Sequence, residues 1–147
     1  MGISSFMSDD HHRCDELFAS AEHLVDGAQW DQAKSAVTKF LEAMEEHFLM
    51  EEEALFPQFE AASGNAMGPT QVMRHEHQQI RQLFAQMQTA LQNKDSNNFL
   101  GASETLLILM QQHNMKEEQI LYPMTDRFLD PEQTIAGMKD KSTFYGG

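Results

Sequence analysis

An internal repeat divides this chain into two equivalent halves. Shifting the sequence by 66 residues along itself aligns the halves without a gap. The aligned positions carry the same or similar residues: Asp10-His11 with Glu76-His77, Leu17-Phe18-Ala19 with Leu83-Phe84-Ala85, Met44 with Met110, and the segment from His47 to Pro57 with the segment from His113 to Pro123. Such a repeat indicates one structural unit that occurs twice, with the two copies packed on each other.

Each half of the repeat has the pattern of two helices. Apolar residues recur at spacings of three and four, and alternating strand-like runs are missing. Capping and helix-breaking residues predict four helices: from Ser8 to about residue 27, from about residue 30 to 62 with a kink or end at Pro57, from Pro69 to about residue 93, and from Asp95 or Ser96 to about residue 129 with an interruption at Pro123. Because short loops make neighbouring helices antiparallel, we predict an all-α, up-down-up-down four-helix bundle with a short C-terminal tail.

Length and charge limit the class of protein. The 147 residues suit a single domain, spanning residues 1–147 with its core at about residues 8–129. A net charge of -13 repels phosphate groups and anionic lipids, so we expect neither a nucleic acid nor a membrane as partner. No apolar run approaches the roughly 18 residues that span a bilayer, and the first residues lack the pattern of a signal peptide. With one cysteine, Cys14, no internal disulfide can form, and we expect a cytoplasmic protein.

The repeat separates the seven histidines into two classes. Four have a histidine at the equivalent position of the other half, namely His11, His47, His77 and His113. His12, His23 and His75 have none. His75 lies two residues before His77, which is about 200° around a helix, so we expect it to face solvent. His12 remains an alternative to His11 as a candidate ligand.

The matched histidines and two glutamates point to a metal site. Residues four apart lie on one helix face, so His47 and His113 share a face with Glu51 and Glu117 respectively. Counting about 1.5 Å per residue from the predicted turns places the four histidines at one depth in the bundle. Two carboxylates buried there without partners would be unfavourable, and metal cations would compensate their charge. An inward His/Glu set in a four-helix bundle suits first-row transition ions, in particular paired iron or manganese.

This constellation resembles the hemerythrin family, in its bacterial HHE cation-binding branch. The resemblance covers about residues 8–129 and rests on the four matched histidines, the two His-x-x-x-Glu pairs and the Glu-Glu-x-x-Leu-Phe-Pro and Glu-Glu-x-x-Leu-Tyr-Pro segments that follow. It implies a non-heme centre of two iron ions, bridged by an oxo or hydroxo group. Glu51 and Glu117 would be the bridging carboxylates, and the four histidines the terminal ligands.

The sequence departs from the oxygen-carrying members of this family at two positions. Carriers have a further histidine one turn before the third helix's ligand, and here that residue is Met73. The alternatives for the missing ligand are water, an exogenous ligand or His75. Carriers also use a carboxylate five residues after the fourth-helix histidine, a position held here by Glu118, so Glu117 and Glu118 are alternative bridges. Symmetry with Glu51 favours Glu117.

Three functions fit this pattern, and the sequence indicates no catalytic residue that would mark an enzyme. The favoured hypothesis is a protein that binds or senses oxygen or nitric oxide at a di-iron centre. The second is a redox enzyme acting on peroxide or nitric oxide, or an iron donor in the repair of iron–sulfur clusters. The third is iron storage or iron sensing. Tyr122 is a candidate hydrogen-bond donor near the site, although its equivalent, Phe56, indicates that plain packing suffices at that position.

Overall fold

The computed structural model describes residues 1–146 and is helical almost throughout. Its α-helices are α1 (Ile3–Asp26), α2 (Trp30–Met50), α3 (Phe56–Ser63), α4 (Pro69–Gln92), α5 (Ser96–Lys116), α6 (Tyr122–Phe128) and α7 (Pro131–Lys139). Single π-helical turns, Glu51–Leu55 and Glu117–Leu121, join α2 to α3 and α5 to α6. The described residues contain no strand, so the all-helical prediction is confirmed. None of the helices in this part of the chain has the length and apolar character to cross a membrane.

The buried apolar residues form two clusters, and the matched histidines lie close to the points where the chain passes from one cluster to the other. The larger cluster draws on residues 14–25 of α1, 33–48 of α2, 80–90 of α4 and 99–110 of α5. The smaller cluster contains residues 3–7, 50–59, 73, 121–122, 135 and 138. The chain therefore passes from the smaller to the larger cluster in α1 and α4, and back again in α2 and α5. Each crossing carries one of the matched histidines.

Helix α1 begins earlier than the sequence pattern predicted. It starts at Ile3, and Ser8, the expected cap, is an interior residue of the helix. The carboxylate of Asp126 on α6 accepts hydrogen bonds from the backbone N–H groups of Ile3 at 2.8 Å and Ser4 at 3.1 Å. These are N–H groups of the first turn, which lack partners within the helix. The prediction of a cap at Ser8 was wrong because the capping carboxylate comes from a residue 123 positions away.

The predicted C-terminal tail is itself mostly helical. Asp130 caps α7 by accepting a hydrogen bond from the backbone N–H of Gln133 at 3.1 Å. Ile135 and Met138 of this helix are buried in the smaller apolar cluster. Helix α7 contacts the first π-helical turn, so this part of the chain supports the layer of histidines.

We predict that the two expected caps differ in their contribution to stability. Asp95 accepts a hydrogen bond from the backbone N–H of Asn98 at 3.1 Å, so Asp95→Ala should lower the free energy of unfolding by about 1 kcal/mol. Ser8→Ala should change it by less than about 0.5 kcal/mol, because Ser8 lies inside α1. Urea denaturation of both variants measures the difference. An equal loss in Ser8→Ala would place the start of α1 at Ser8.

Candidate metal centre

Six polar side chains meet in the layer between the two apolar clusters. They are at most 4% exposed, and each comes from one of the long helices or the π-helical turn that continues it: His11 from α1, His47 and Glu51 from α2 and the first π turn, His77 from α4, and His113 and Glu117 from α5 and the second π turn. The structure thus brings together the four histidines and two glutamates that the repeat singled out.

The side chains form two adjoining groups that share Glu117. In one group, Glu51, His77, His113 and Glu117 each offer a donor atom, and these atoms all lie within 4.8 Å of one another. In the other group, His11, His47 and Glu117 do the same. Glu51 also faces both groups, since its Oε1 atom is 3.0 Å from His77 Nε2 and 3.6 Å from His47 Nε2. The two carboxylates therefore stand between two pairs of imidazoles.

The group around His77 contains four buried atoms that find no hydrogen-bond partner in the described part of the chain. These atoms are Glu51 Oε1, His77 Nε2, His113 Nε2 and Glu117 Oε2. His77 Nε2 lies 3.0 Å from Glu51 Oε1, and His113 Nε2 lies 3.4 Å from Glu117 Oε2, but neither pair is aligned as a hydrogen bond. Buried polar atoms without partners are rare and unfavourable. Two imidazole nitrogens and two carboxylate oxygens that converge in this way fit the donor set of a first-row transition ion.

Each of the four imidazoles also has a carboxylate on its other nitrogen. The Nδ1 partners are Glu118 for His11 at 2.5 Å, Asp10 for His47 at 2.7 Å, Glu52 for His77 at 2.6 Å and Glu76 for His113 at 2.8 Å. A carboxylate on Nδ1 fixes the orientation of the ring and directs Nε2 toward a metal. The sequence analysis missed this role. Its signal was present in the repeat, because Asp10 aligns with Glu76 and Glu52 with Glu118.

Cationic side chains hold three of these carboxylates from the outside. Arg13 pairs with Asp10 at 3.0 Å, Arg81 with Glu52 at 2.9 Å, and Lys116 with Glu76 at 2.5 Å. Asp10 also accepts a hydrogen bond from the hydroxyl of Tyr145 at 2.6 Å.

These contacts keep the outer carboxylates ionised. Burial favours the neutral form of Glu52, but hydrogen bonds from His77 and Arg81 lower its pKa to about 2. The hydrogen bond from His113 likewise lowers the pKa of Glu76 to about 2. Both carboxylates therefore carry a full negative charge at neutral pH and accept the Nδ1–H of their imidazoles.

The structure separates the alternative candidates from the central six residues. Glu117 is fully buried between the histidine pairs, whereas Glu118 is 35% exposed and contacts His11 through Nδ1, away from Nε2. His12 and His75 are exposed. They lie one and two residues from inward-facing histidines, which turns them away from the centre by about 100° and 200° on a regular helix. Glu118, His12 and His75 therefore lie outside the group of central donor atoms.

The sequence analysis gave Tyr122 as a candidate hydrogen-bond donor near the site, and the structure places its hydroxyl among the central side chains. Its hydroxyl oxygen is 2.7 Å from Glu51 Oε2, 2.9 Å from Glu117 Oε1, 3.2 Å from His11 Nε2 and 3.4 Å from His47 Nε2. Burial and the two neighbouring carboxylates raise the pKa of Tyr122 well above its usual value, so the metal-free protein holds it as a neutral phenol.

The π-helical turns bring Tyr122 onto the face of the central side chains. In an α-helix, residue i+4 bonds to residue i and lies about 40° around the axis, while residue i+5 lies about 140° away. In the second π turn the backbone N–H of Tyr122 donates to the carbonyl of Glu117, five residues earlier. Residue i+5 thereby takes the place of i+4, and Tyr122 shares a face with Glu117. The first π turn does the same for Phe56 and Glu51.

Comparison with known proteins identifies the family. The profile described as "Hemerythrin HHE cation binding domain" matches residues 2–125. The chain belongs to the hemerythrin family. A protein of Schizosaccharomyces pombe, described as an uncharacterized hemerythrin-like protein, is 25% identical over 134 residues, which cover 90% of this chain and 64% of the relative. No solved structure matches this chain.

Protons compensate the central charges of this hemerythrin-like protein when no metal is bound. Burial alone would lower the pKa of His11, but hydrogen bonds to Glu117 and Glu118 raise it to about 9. Attraction to Glu117 outweighs burial in the same way at His113 and raises its pKa to about 10. Burial and repulsion by Glu117 raise the pKa of Glu51, whereas attraction to His113 holds the pKa of Glu117 well below its usual value despite burial.

We predict that the metal-free protein loses stability at alkaline pH. Because the pKa values of His11 and His113 rise from 6.5 to about 9 and about 10, protonation stabilises the fold fully below about pH 6.5. This stabilisation should disappear as the pH rises through about 9 to 10. Denaturation in the presence of a chelator, repeated across this range, measures it. The metal-loaded protein is the control and should change less, since its imidazoles are already neutral. A flat profile for the metal-free protein would contradict the prediction.

A second prediction separates the adjacent glutamates. Glu118→Gln should weaken metal binding about 10- to 100-fold, because it removes the charge that orients His11. Glu117→Gln should weaken it further, because Glu117 belongs to both groups of donors. Competitive metal titration compares the variants, with the exposed Glu53→Gln as the control that should bind normally. A larger loss in Glu118→Gln than in Glu117→Gln would reverse the two assignments.

Proposed function

We propose that this hemerythrin-like chain holds two iron ions at the centre and uses them to bind or sense a small diatomic ligand, oxygen or nitric oxide. The observation that carries the proposal is the convergence of buried, unpartnered imidazole and carboxylate atoms in a chain of this family. Iron supplies a redox-active centre with affinity for such ligands. The residues of the chain supply its binding, its orientation and the exclusion of water.

The two groups of donors support two ions rather than one. One ion would be held by His11 and His47 and the other by His77 and His113, since the histidines divide between the two groups. Glu117 belongs to both groups, and Glu51 lies within 3.6 Å of an imidazole from each side. Glu51 and Glu117 would therefore be the shared, bridging ligands.

The surroundings of His77 favour a small, weakly polar ligand. The ring of Phe48 stacks on His77 with 3.9 Å between centroids, and the ring of Phe56 lies at 5.9 Å. Met73, in the position where carriers have a further histidine, is 3% exposed and belongs to the smaller apolar cluster. A centre with apolar walls favours a diatomic molecule over a larger polar substrate.

We further propose that residues 1–147 form one domain in which the four long helices run up-down-up-down. The alternating passage of the chain between the two apolar clusters supports this order. Helix α1 packs along α2, and α4 along α5, as two hairpins related by the repeat would require. The net charge of -13 supports the absence of a nucleic-acid partner.

Metal analysis with paired histidine variants tests the centre. Anaerobic reconstitution with ferrous iron should give about two ions per chain, and His11→Gln and His77→Gln should each bind less. His12→Gln and His75→Gln are the matched controls, because these histidines are neighbours in sequence but exposed, and both should bind normally. One ion or fewer per wild-type chain would contradict the proposal.

Titration of the reduced protein tests the ligand. Oxygen or nitric oxide should change the visible absorption in a saturable way, in proportion to the bound iron. Repeated consumption of peroxide or nitric oxide beyond one equivalent would instead favour the redox enzyme, provided that Glu51→Ala with Glu117→Ala abolishes it.

A further inference from the structure

Tyr122 occupies a distinctive position in the proposed di-iron centre. Its hydroxyl oxygen lies within 3.4 Å of four donor atoms, one from each of His11, His47, Glu51 and Glu117. The tyrosine is fully buried. A hydroxyl that contacts two imidazole nitrogens and two carboxylate oxygens stands where these four atoms converge.

The repeat makes this position asymmetric. Phe56 is the equivalent of Tyr122 in the first half, and it likewise follows its π turn. The ring of Tyr122 lies beside His11 with 5.7 Å between centroids, and the ring of Phe56 lies beside His77 at 5.9 Å. The two rings thus take equivalent places on opposite sides of the centre, but only one carries a hydroxyl.

The four central atoms without a hydrogen-bond partner also lie on one side of the centre only. All four belong to the group around His77 and His113, the side on which Phe56 lies. On the other side, the Nε2 atoms of His11 and His47 both meet the hydroxyl of Tyr122. The chain has therefore supplied a fifth donor atom, the hydroxyl oxygen of Tyr122, to one side of the centre and a hydrocarbon ring to the other.

We propose that Tyr122 is a ligand of the cation held by His11 and His47, and that the exogenous ligand binds the cation held by His77 and His113. This inference rests on the proposed function, since it requires the two ions. On iron binding, the phenolic O–H bond breaks, the proton is released to solvent and the oxygen forms a bond to iron, without electron transfer. One ion then has two imidazoles, two carboxylates and a phenolate, while the other has one protein donor fewer and faces Phe56.

The spectrum of the oxidised, iron-loaded protein tests the first part of this proposal. Phenolate bound to ferric iron gives a charge-transfer band in the visible region and enhanced tyrosine ring modes in resonance Raman spectra. The wild type should show both, and Tyr122→Phe should lose both. This variant should fold, because phenylalanine already fills the equivalent position at Phe56. Tyr145→Phe is the matched control and should keep both signals, since the chain has only these two tyrosines and Tyr145 contacts Asp10.

The outcomes separate this inference from the proposed function. A wild type that holds two ions without phenolate signals, or a Tyr122→Phe variant with the wild-type spectrum, would overturn the ligand role and leave Tyr122 as a hydrogen-bond donor to the carboxylates. A wild type that binds no iron would overturn both proposals.

Nitric oxide binding to the reduced protein tests the second part. Tyr122→Phe should retain its iron and bind more nitric oxide per chain than the wild type, because it frees a position on the second ion. Phe56→Tyr should bind less, because its added hydroxyl would fill the position left open beside His77. Unchanged nitric oxide stoichiometry in Phe56→Tyr, with iron content retained, would contradict the assignment of the open side.

Discussion

The burial of two carboxylates side by side among imidazoles is the constraint around which this helical protein is built. Glu51 and Glu117 repel each other in a water-excluded interior, and only positive charge at their oxygen atoms makes their burial tolerable. The surrounding groups alternate in sign from this point outward. Imidazoles contact the central carboxylates, a further carboxylate contacts each imidazole, and Arg13, Arg81 and Lys116 contact three of those. Protons in the metal-free protein and cations in the loaded protein fill the same electrostatic role.

A duplicated hairpin produces a centre that is symmetric in its imidazoles and asymmetric in its surroundings. The repeat gives each half a pair of ring-orienting carboxylates and a π-helical turn that begins at the inward glutamate. The halves then differ by a single oxygen atom at the residue that follows the turn, which is Phe56 in one and Tyr122 in the other. The centre thereby acquires two chemically distinct sides, and under the proposed function this difference would let one ion serve structure while the other binds a ligand.

Much of the centre could be predicted from the sequence, because the repeat shows which histidines have an equivalent in the other half. Helical periodicity alone does not distinguish these histidines from the others. The histidines that match across the halves are buried, and those without a match, such as His12, are exposed. What the sequence did not reveal depends on contacts between distant residues or on backbone hydrogen bonding. Asp126 extends α1 to an earlier start, and the π turns rotate Tyr122 toward the centre without altering the apolar pattern. The carboxylates that contact Nδ1 align with each other across the repeat, but the sequence does not show which imidazole each one contacts. Their role in orienting the imidazoles follows from the contacts in the structure.

The hydrogen bond from Tyr145 to Asp10 links positions 135 residues apart and bears on how the centre is assembled in the cell. Asp10 orients His47, and both residues leave the ribosome long before Tyr145 is synthesised. Throughout translation of the second hairpin, this side of the centre therefore lacks one of the contacts that hold it in the finished chain. The full set of contacts around Asp10 therefore forms only after translation has passed Tyr145.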